Sequence, residues 1–220
     1  MSVYEIWERI LDLFFPPRCP FCRAILRDYE KTLCGKCRRS LPWVPDAAQC
    51  QSFRHIDRCL SPLYYSGDVR SSLLRYKFGA LSVYARPYGA ILTDCLRNNE
   101  VACDVITWVP ISAKRLRKRG YDQAKLLAEE IARQLGIPCR CLLIKTADNP
   151  PQSVTGSAEK RKKNVAGVYR PADLSQIKGK SILLVDDIVT TGATLSECAR
   201  VLKVAGAKKI TAASVARSER

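Results

Sequence analysis

The sequence predicts an α/β protein, a largely parallel sheet flanked by helices, with a small cysteine-held module in front of it. Three observations carry this expectation. Short apolar runs suited to buried strands, such as Val105-Ile-Thr-Trp-Val109 and Ser181-Ile-Leu-Leu-Val185, alternate with segments of helical periodicity. Two Cys-x-x-Cys pairs stand close together near the N-terminus. The 220 residues are 47% hydrophobic and 26% charged, which fits a globular chain with room for one ordinary domain and an appendage.

Ser2 is placed to cap a helix running to about Phe14, with Val3, Ile6, Trp7, Ile10, Leu13 and Phe14 on a wide apolar stripe and Pro16-Pro17 ending it. Glu5, Glu8 and Asp12 sit where a signal peptide would be basic, so a cytoplasmic chain is expected, and they argue against docking on anionic lipid. No apolar run approaches the roughly 18–20 residues that span a bilayer. Residues 1–16 are read as this helix, 17–60 as a metal module and linker, and 61–220 as the main domain.

Cys19-Pro-Phe-Cys22 and Cys34-Gly-Lys-Cys37 are separated by eleven residues. Each short loop can turn two thiolates onto one metal, and two such knuckles supply the sulfur tetrahedron of structural Zn²⁺. A closed four-cysteine site leaves no position for water, so structure and not catalysis is expected. About forty residues bury little core, and the metal would supply much of their folding free energy. Cys50 and Cys59 read as relics of a second ribbon or as unpaired thiols, within a linker over 46–60. His55, the single histidine, reads as an ordinary loop residue.

Beyond Pro62 the pattern alternates. A short strand at Leu63-Tyr64-Tyr65 precedes a helix capped by Asp68 and carrying Val69, Leu73, Leu74 and Tyr76. A second helix covers about 83–97, then comes the strand at 105–109, stopped by Pro110. A basic loop leads to a helix at 122–135, ended by Gly136. Residues 148–164 form a long polar loop. The strand at 181–185, a helix at about 194–205 and a strand at 209–216 complete the chain.

Net charge is +16 overall, of which +13 lies from Gly67 onward. Such an excess attracts polyanions. The most informative segment is Leu183-Leu-Val-Asp186-Asp187-Ile-Val-Thr190-Thr191-Gly192-Ala193-Thr194. A buried strand delivers two carboxylates to the carboxyl edge of the sheet, where open α/β folds bind ligands. A Thr/Gly loop then opens a helix, whose N-terminus favours a phosphate. Paired carboxylates suit a ribose diol, and equally Mg²⁺ through waters. No Gly-Lys-Ser/Thr follows, so this is not a P-loop.

The acid-acid-x-x-Thr-Thr-Gly-x-Thr segment resembles the phosphoribosyl pyrophosphate (PRPP) motif of type I phosphoribosyltransferases. With the cysteine module, Arg75-Tyr-Lys77-Phe-Gly, Val109-Pro-Ile-Ser112, Lys114-Arg-Leu-Arg-Lys-Arg-Gly-Tyr-Asp-Gln123 and Pro151-Gln152-Ser153 with Glu159-Lys-Arg161-Lys-Lys-Asn164-Val165, nearly the whole chain resembles the ComF competence-protein family. The resemblance implies a type I phosphoribosyltransferase-like sheet behind an N-terminal zinc ribbon. It implies that Asp186 and Asp187 hold the ribose hydroxyls as the catalytic pair, Asp187 being a candidate general base. Thr190, Thr191, Gly192, Ala193 and Thr194 would cradle the 5-phosphate. Pro110-Ile111-Ser112 would form the pyrophosphate loop, with Arg115, Arg119 and Lys77 near its charge. Gln152, Arg161 and Asn164 would reach in from a flexible lid, and Mg²⁺ would accompany PRPP. Asp122 stands where the family usually has Asn, which lowers the positive charge of that loop.

Two functions lead, and a third, a ribbon used only as a protein-docking module, stays open beside them. One is phosphoribosyl transfer from PRPP to an acceptor the sequence does not name, linked to DNA uptake. The other is a non-catalytic, single-stranded-DNA-associated competence factor, with competence-machinery proteins as further partners. Against the second, the sequence offers no aromatic-basic stacking platform, and Tyr64, Tyr65, Tyr76 and Tyr84 are assigned to the core.

Overall fold

The computed structural model describes residues 16–147 and 167–219. The N-terminal helix expected over 2–14 and the lid residues Gln152, Arg161 and Asn164 lie outside them.

In chain order, a six-residue helix α1 (Gly35–Ser40) precedes strands β1 (Cys50–Phe53), β2 (Ile56–Leu60) and β3 (Leu63–Tyr64). Helices α2 (Gly67–Phe78) and α3 (Ala85–Asn98) lead to β4 (Val105–Trp108), α4 (Ala113–Arg119) and α5 (Gln123–Leu135). Then come β5 (Leu143–Lys145), β6 (Tyr169–Pro171), β7 (Ser181–Val189), α6 (Ala193–Val204) and β8 (Lys209–Arg217). The main sheet runs β1-β2-β8-β7-β4, with β3 also on β8, and all its pairings are parallel except the β1–β2 hairpin. β5 and β6 form a separate antiparallel pair.

Side-chain alternation along the central strands builds two cores. Leu183 and Val185 of β7, with Ala213 and Val215 of β8, face the layer of α2, α3 and α5. Ile182 and Leu184, with Ile210 and Ala212, face α6 and the β5–β6 pair. Strands buried on both faces read as continuous apolar runs, which is why 181–185 was legible. The α3–α5 contact is close because Gly89 lies against Glu130: a Cβ there would stand 2.4 Å from Glu130 Cγ.

The cysteine module shares the first core. Cys19, Phe21, Leu33 and Leu41 are buried in one cluster with Tyr76, Tyr88 and Leu92. Phe21 and Tyr88 pack with ring centroids 5.8 Å apart. With so little apolar surface of its own, the module completes its core by borrowing the helical layer of its neighbour.

Several expectations change. Residues 46–60, read as a linker, carry a 3₁₀ turn and the β1–β2 hairpin, and β2 pairs with β8 through Arg58–Thr211, Cys59–Ala212 and Leu60–Ala213. Cys59 is buried in this sheet and Cys50 is exposed at its edge. His55 occupies the hairpin turn at φ 66°. Ser66, and not Asp68, is the cap position of α2, and Asp68 sits in the first turn, where it complements the helix dipole. β7 runs four residues further than expected, because Asp186 to Val189 continue the ladder against β8. The basic loop contains α4, bracketed by Ser112 as N-cap and Gly120 as left-handed C-cap.

Candidate functional site

β4 and β7 are parallel neighbours, so the segments leaving their carboxyl ends lie side by side. Between them opens a cavity of about 340 Å³, lined among others by Lys77, Pro110, Ile111, Arg115, Arg119, Asp186, Asp187, Thr190 and Thr194. A smaller pocket of about 40 Å³ is lined by Asp186 and the stretch Ile188 to Leu195, and shares Asp186, Ile188, Thr190 and Thr194 with the cavity. The fold thus gathers most of the sequence-derived site residues around these two adjoining pockets.

The small pocket is made by a loop. Gly192 is the cap position of α6 at φ +71° and offers no side-chain cap, and Thr191 Oγ1 accepts from Ala193 N only at a long 3.4 Å, so the first-turn N–H groups keep donor capacity for a ligand. A Cβ on Gly192 would stand 2.2 Å from the Phe53 ring. The hairpin that the sequence hid as a linker therefore forms the floor of this loop.

The carboxylates differ. Asp187 is buried and pairs with Lys77, its Oδ2 2.9 Å from Nζ. Asp186 accepts the Asp187 N–H at 2.8 Å. Burial, and then the neighbouring charge of Asp187, hold the Asp186 carboxyl well above the usual carboxylate range, against the pull of Lys77. For Lys77, burial works to lower the ammonium's pKa, but attraction by Asp187 and Asp186 prevails and raises it.

The opposite wall is cationic and rigidly organised. Ser112 Oγ accepts from Arg115 N at 3.3 Å, starting α4. It is buried and does not line the cavity, so its part is to aim the helix that carries Arg115 and Arg119. Arg119 donates to Gln123 Oε1 at 3.0 Å and lies 5.0 Å over the Phe78 ring. Burial pulls its pKa down, opposed by Asp187. Asp122 accepts from Ile111 N at 3.1 Å and Lys125 N at 3.2 Å, so it both caps α5 and ties down the turn after β4. Burial raises its pKa in spite of those N–H donors.

Among the lining residues, four polar ones carried no site role in the sequence: Tyr65, assigned there to the core, Gln123, quoted only within its motif, and Lys145 and Tyr169. Lys145 and Tyr169 come from the two strands that flank residues 148–166, and Lys145 Nζ lies 5.4 Å from the Tyr169 ring centroid. Tyr76 and Tyr84 are buried, as expected.

Away from the cavity, the Sγ atoms of Cys19, Cys22, Cys34 and Cys37 lie within 4.8 Å of one another, with Cys22 and Cys34 at 3.5 Å. Tetrahedral zinc with ~2.3 Å Zn–S bonds needs sulfur–sulfur edges of about 3.8 Å. The four sulfurs therefore suit a closed structural zinc site.

Residues 122–220 match the phosphoribosyl transferase domain family, and residues 10–55 match the double zinc ribbon domain family. The second match ends within the β1–β2 hairpin, where Cys50 and Cys59 stand without a second set of four sulfurs among the described residues. Competence protein F of Haemophilus influenzae is 26% identical over 93% of this chain and 99% of its own length. DNA utilization protein YhgH of Salmonella typhi is 31% identical over 87% of this chain and 80% of its own. Among solved structures, the glutamine PRPP amidotransferase of B. subtilis, complexed with ADP and GMP, aligns at 20% identity and a TM-score of 0.45 over 63% of this chain; the alignment spans 30% of that longer protein. The extent of the shared sequence, the zinc ribbon and the phosphoribosyltransferase-type sheet together establish that this chain belongs to the ComF family of competence proteins.

Proposed function

We propose that this protein binds PRPP with Mg²⁺ in the cavity at the ends of β4 and β7 and transfers its 5-phosphoribosyl group to an acceptor in a process linked to the use of DNA. The observation that carries this reading is the opposition of two unlike walls. A glycine-hinged, N–H-rich loop stands on one side, and Lys77, Arg115 and Arg119 on the other, with Asp186 and Asp187 between. PRPP has a monophosphate at one end, a pyrophosphate at the other and a diol in the middle. The competence and DNA-utilization names of the relatives supply the biological setting.

In this reading the 5-phosphate takes its hydrogen bonds from the Thr190–Thr194 loop and the start of α6. Asp186 and Asp187 accept the ribose hydroxyls. When the C1–O bond breaks, its electron pair leaves with pyrophosphate, positive charge develops on the ribose ring, and an acceptor lone pair forms the new bond at C1. Lys77, Arg115 and Arg119 stabilise the departing charge. Mg²⁺, held through water by the two carboxylates, would supply further charge neutralisation of the pyrophosphate. Asp187 is engaged by Lys77, so a role as base toward the acceptor requires Lys77 to turn toward the phosphates.

Calorimetry of PRPP with and without Mg²⁺ tests the donor site. The wild type is expected to bind in the micromolar range, and a folded Asp186→Ala/Asp187→Ala variant to lose binding. Absence of binding by folded, zinc-loaded wild type would refute the reading.

A second reading has one observation of its own. Phe78 is 69% exposed beside the cavity, Arg119 stacks over it, and α4 adds the exposed cations Lys114, Arg117 and Lys118. Chain-distant pieces thus meet as the aromatic-basic combination that the linear sequence did not reveal, and such surfaces suit single-stranded nucleic acid. Phe78→Ala should then weaken binding to a labelled single-stranded oligonucleotide at least about fivefold, since a stacked base contributes ~1–3 kcal/mol. An unchanged affinity would remove this surface from consideration.

A further inference from the structure

One helix grips both the first cysteine knuckle and the cavity. On α2, Ser72 Oγ donates to the Pro20 carbonyl and is hydrogen-bonded to the Tyr88 hydroxyl. Arg75 Nη2 donates to the carbonyls of Pro20, at 2.9 Å, and Phe21, at 2.8 Å. Both carbonyls lie inside the Cys19–Cys22 loop. Arg75 Nε is buried without an acceptor, so among the described residues the knuckle carbonyls alone answer this guanidinium. The next residue, Tyr76, donates its hydroxyl to Gln123 O at 2.9 Å, and the next, Lys77, meets Asp187 at 2.9 Å.

Three consecutive residues therefore run from the ribbon to the cavity, and they occupy the last turn of α2. The last turn of a helix frays unless something outside it holds it. Here the knuckle, through Arg75, is one outside hold, beside Tyr121 on the Tyr76 carbonyl, Gln123 on the Lys77 carbonyl and Asp187 on the Lys77 ammonium. The ribbon has little core of its own, so the knuckle keeps its shape when metal closes it.

We infer that the metal-closed knuckle, acting through Arg75, sets the position of Lys77 at the cavity, so that the zinc state of the ribbon tunes how firmly the cavity holds the pyrophosphate end of its ligand. Arg75 does not line the cavity, so it is a positioning residue. The effect on ligand affinity rests on the donor-site reading above; the effect on Lys77 does not.

The test is the acylation rate of Lys77 by a small amine-reactive reagent, followed by mass spectrometry on the full-length, zinc-loaded chain. It is compared with chelator-stripped protein and with Arg75→Gln, Arg75→Lys and Arg70→Gln, each well below its melting temperature. Arg70 is an exposed cation on the same helix and controls for charge. Arg75→Gln and zinc removal should each raise Lys77 labelling about fivefold or more, in the range of ordinary coupling between sites. Arg75→Lys should fall between, and Arg70→Gln should match the wild type. Pyrophosphate affinity should weaken by a similar factor. Lys77 labelling at the wild-type rate in both Arg75→Gln and stripped protein would overturn the inference. So would an equal rise at every lysine, which would mean general loosening. Should Arg75→Gln not fold, Ser72→Ala carries the same test. Failure of wild type to bind pyrophosphate or PRPP would count against the donor site and leave the labelling result standing.

Discussion

The two walls of the cavity are built by opposite means. The loop wall, Thr190 to Thr194, is one continuous stretch whose working groups are backbone N–H and short hydroxyls, shaped by the backbone angle of Gly192 and the ring of Phe53 beneath it. The cationic wall is assembled from side chains on α2 and α4, separated by some forty residues and held by Ser112, Asp122 and Gln123. A backbone wall fails when its shape changes. A side-chain wall loses strength in steps, one charge at a time.

The strongest way to break the loop wall alone is Gly192→Ala. The new Cβ meets Phe53 and forces a left-handed residue, so a loss of about 2–4 kcal/mol of stability is expected, with loss of PRPP binding. Adding Phe53→Ala should recover part of that stability, because the clash is relieved and the backbone strain is not. Thermal unfolding of the single and double variants checks both.

The cationic wall should respond in steps. Lys77→Gln or Arg119→Gln should weaken PRPP and pyrophosphate about 10–100-fold each, at ~1.5–3 kcal/mol per charged hydrogen bond, while leaving ribose 5-phosphate unaffected. Calorimetry with the three ligands separates the walls directly, and equal losses for all three would mean the walls are not distinct.

Asp186 lies between the walls and sharpens the contrast between stability and function. Its folded pKa is raised, so the folded state holds a proton more firmly than the unfolded chain. The contribution of Asp186 to stability is therefore fully present below the ordinary carboxylate pKa and is lost as pH rises through the raised value. Asp186→Asn removes that fall. The variant should match the wild type near pH 4 and exceed it at neutral pH by about 2–4 °C in Tm, while binding PRPP poorly. Paired melts across pH check the sign.

The smallest effect belongs to Asp122. Asp122→Asn keeps an acceptor for Ile111 N or Lys125 N and removes a negative charge from beside the cationic wall. PRPP affinity should improve by about two- to threefold, the size of a partly screened charge contribution. Calorimetry at two ionic strengths checks that the gain shrinks with salt.

The same contrast explains what was legible in the sequence. The loop wall and the two cysteine knuckles are local: Asp186 to Thr194 and the Cys-x-x-Cys pairs state their chemistry within a few residues. The β1–β2 hairpin was not legible, because Cys50 to Leu60 is short, half polar and lacks a turn glycine; only its parallel pairing with β8, some 150 residues away, makes it a strand. The run Ala113-Lys-Arg-Leu-Arg-Lys-Arg119 reads as a charged loop, yet Ser112 before it and Gly120 after it were the cap signals of a short helix. Tyr65, Lys145 and Tyr169 join the site only because the sheet edge and the β5–β6 pair converge there. No spacing in the chain announces that.

Titration of ribose 5-phosphate and pyrophosphate, with Mg²⁺, singly and together, followed by PRPP, separates the two walls in one experiment. Two separate walls require that the two fragments bind at the same time, that Gly192→Ala removes only the first and Lys77→Gln weakens only the second, and that PRPP displaces both. Mutual exclusion of the fragments, or fragments that bind together but are not displaced by PRPP, would contradict that arrangement.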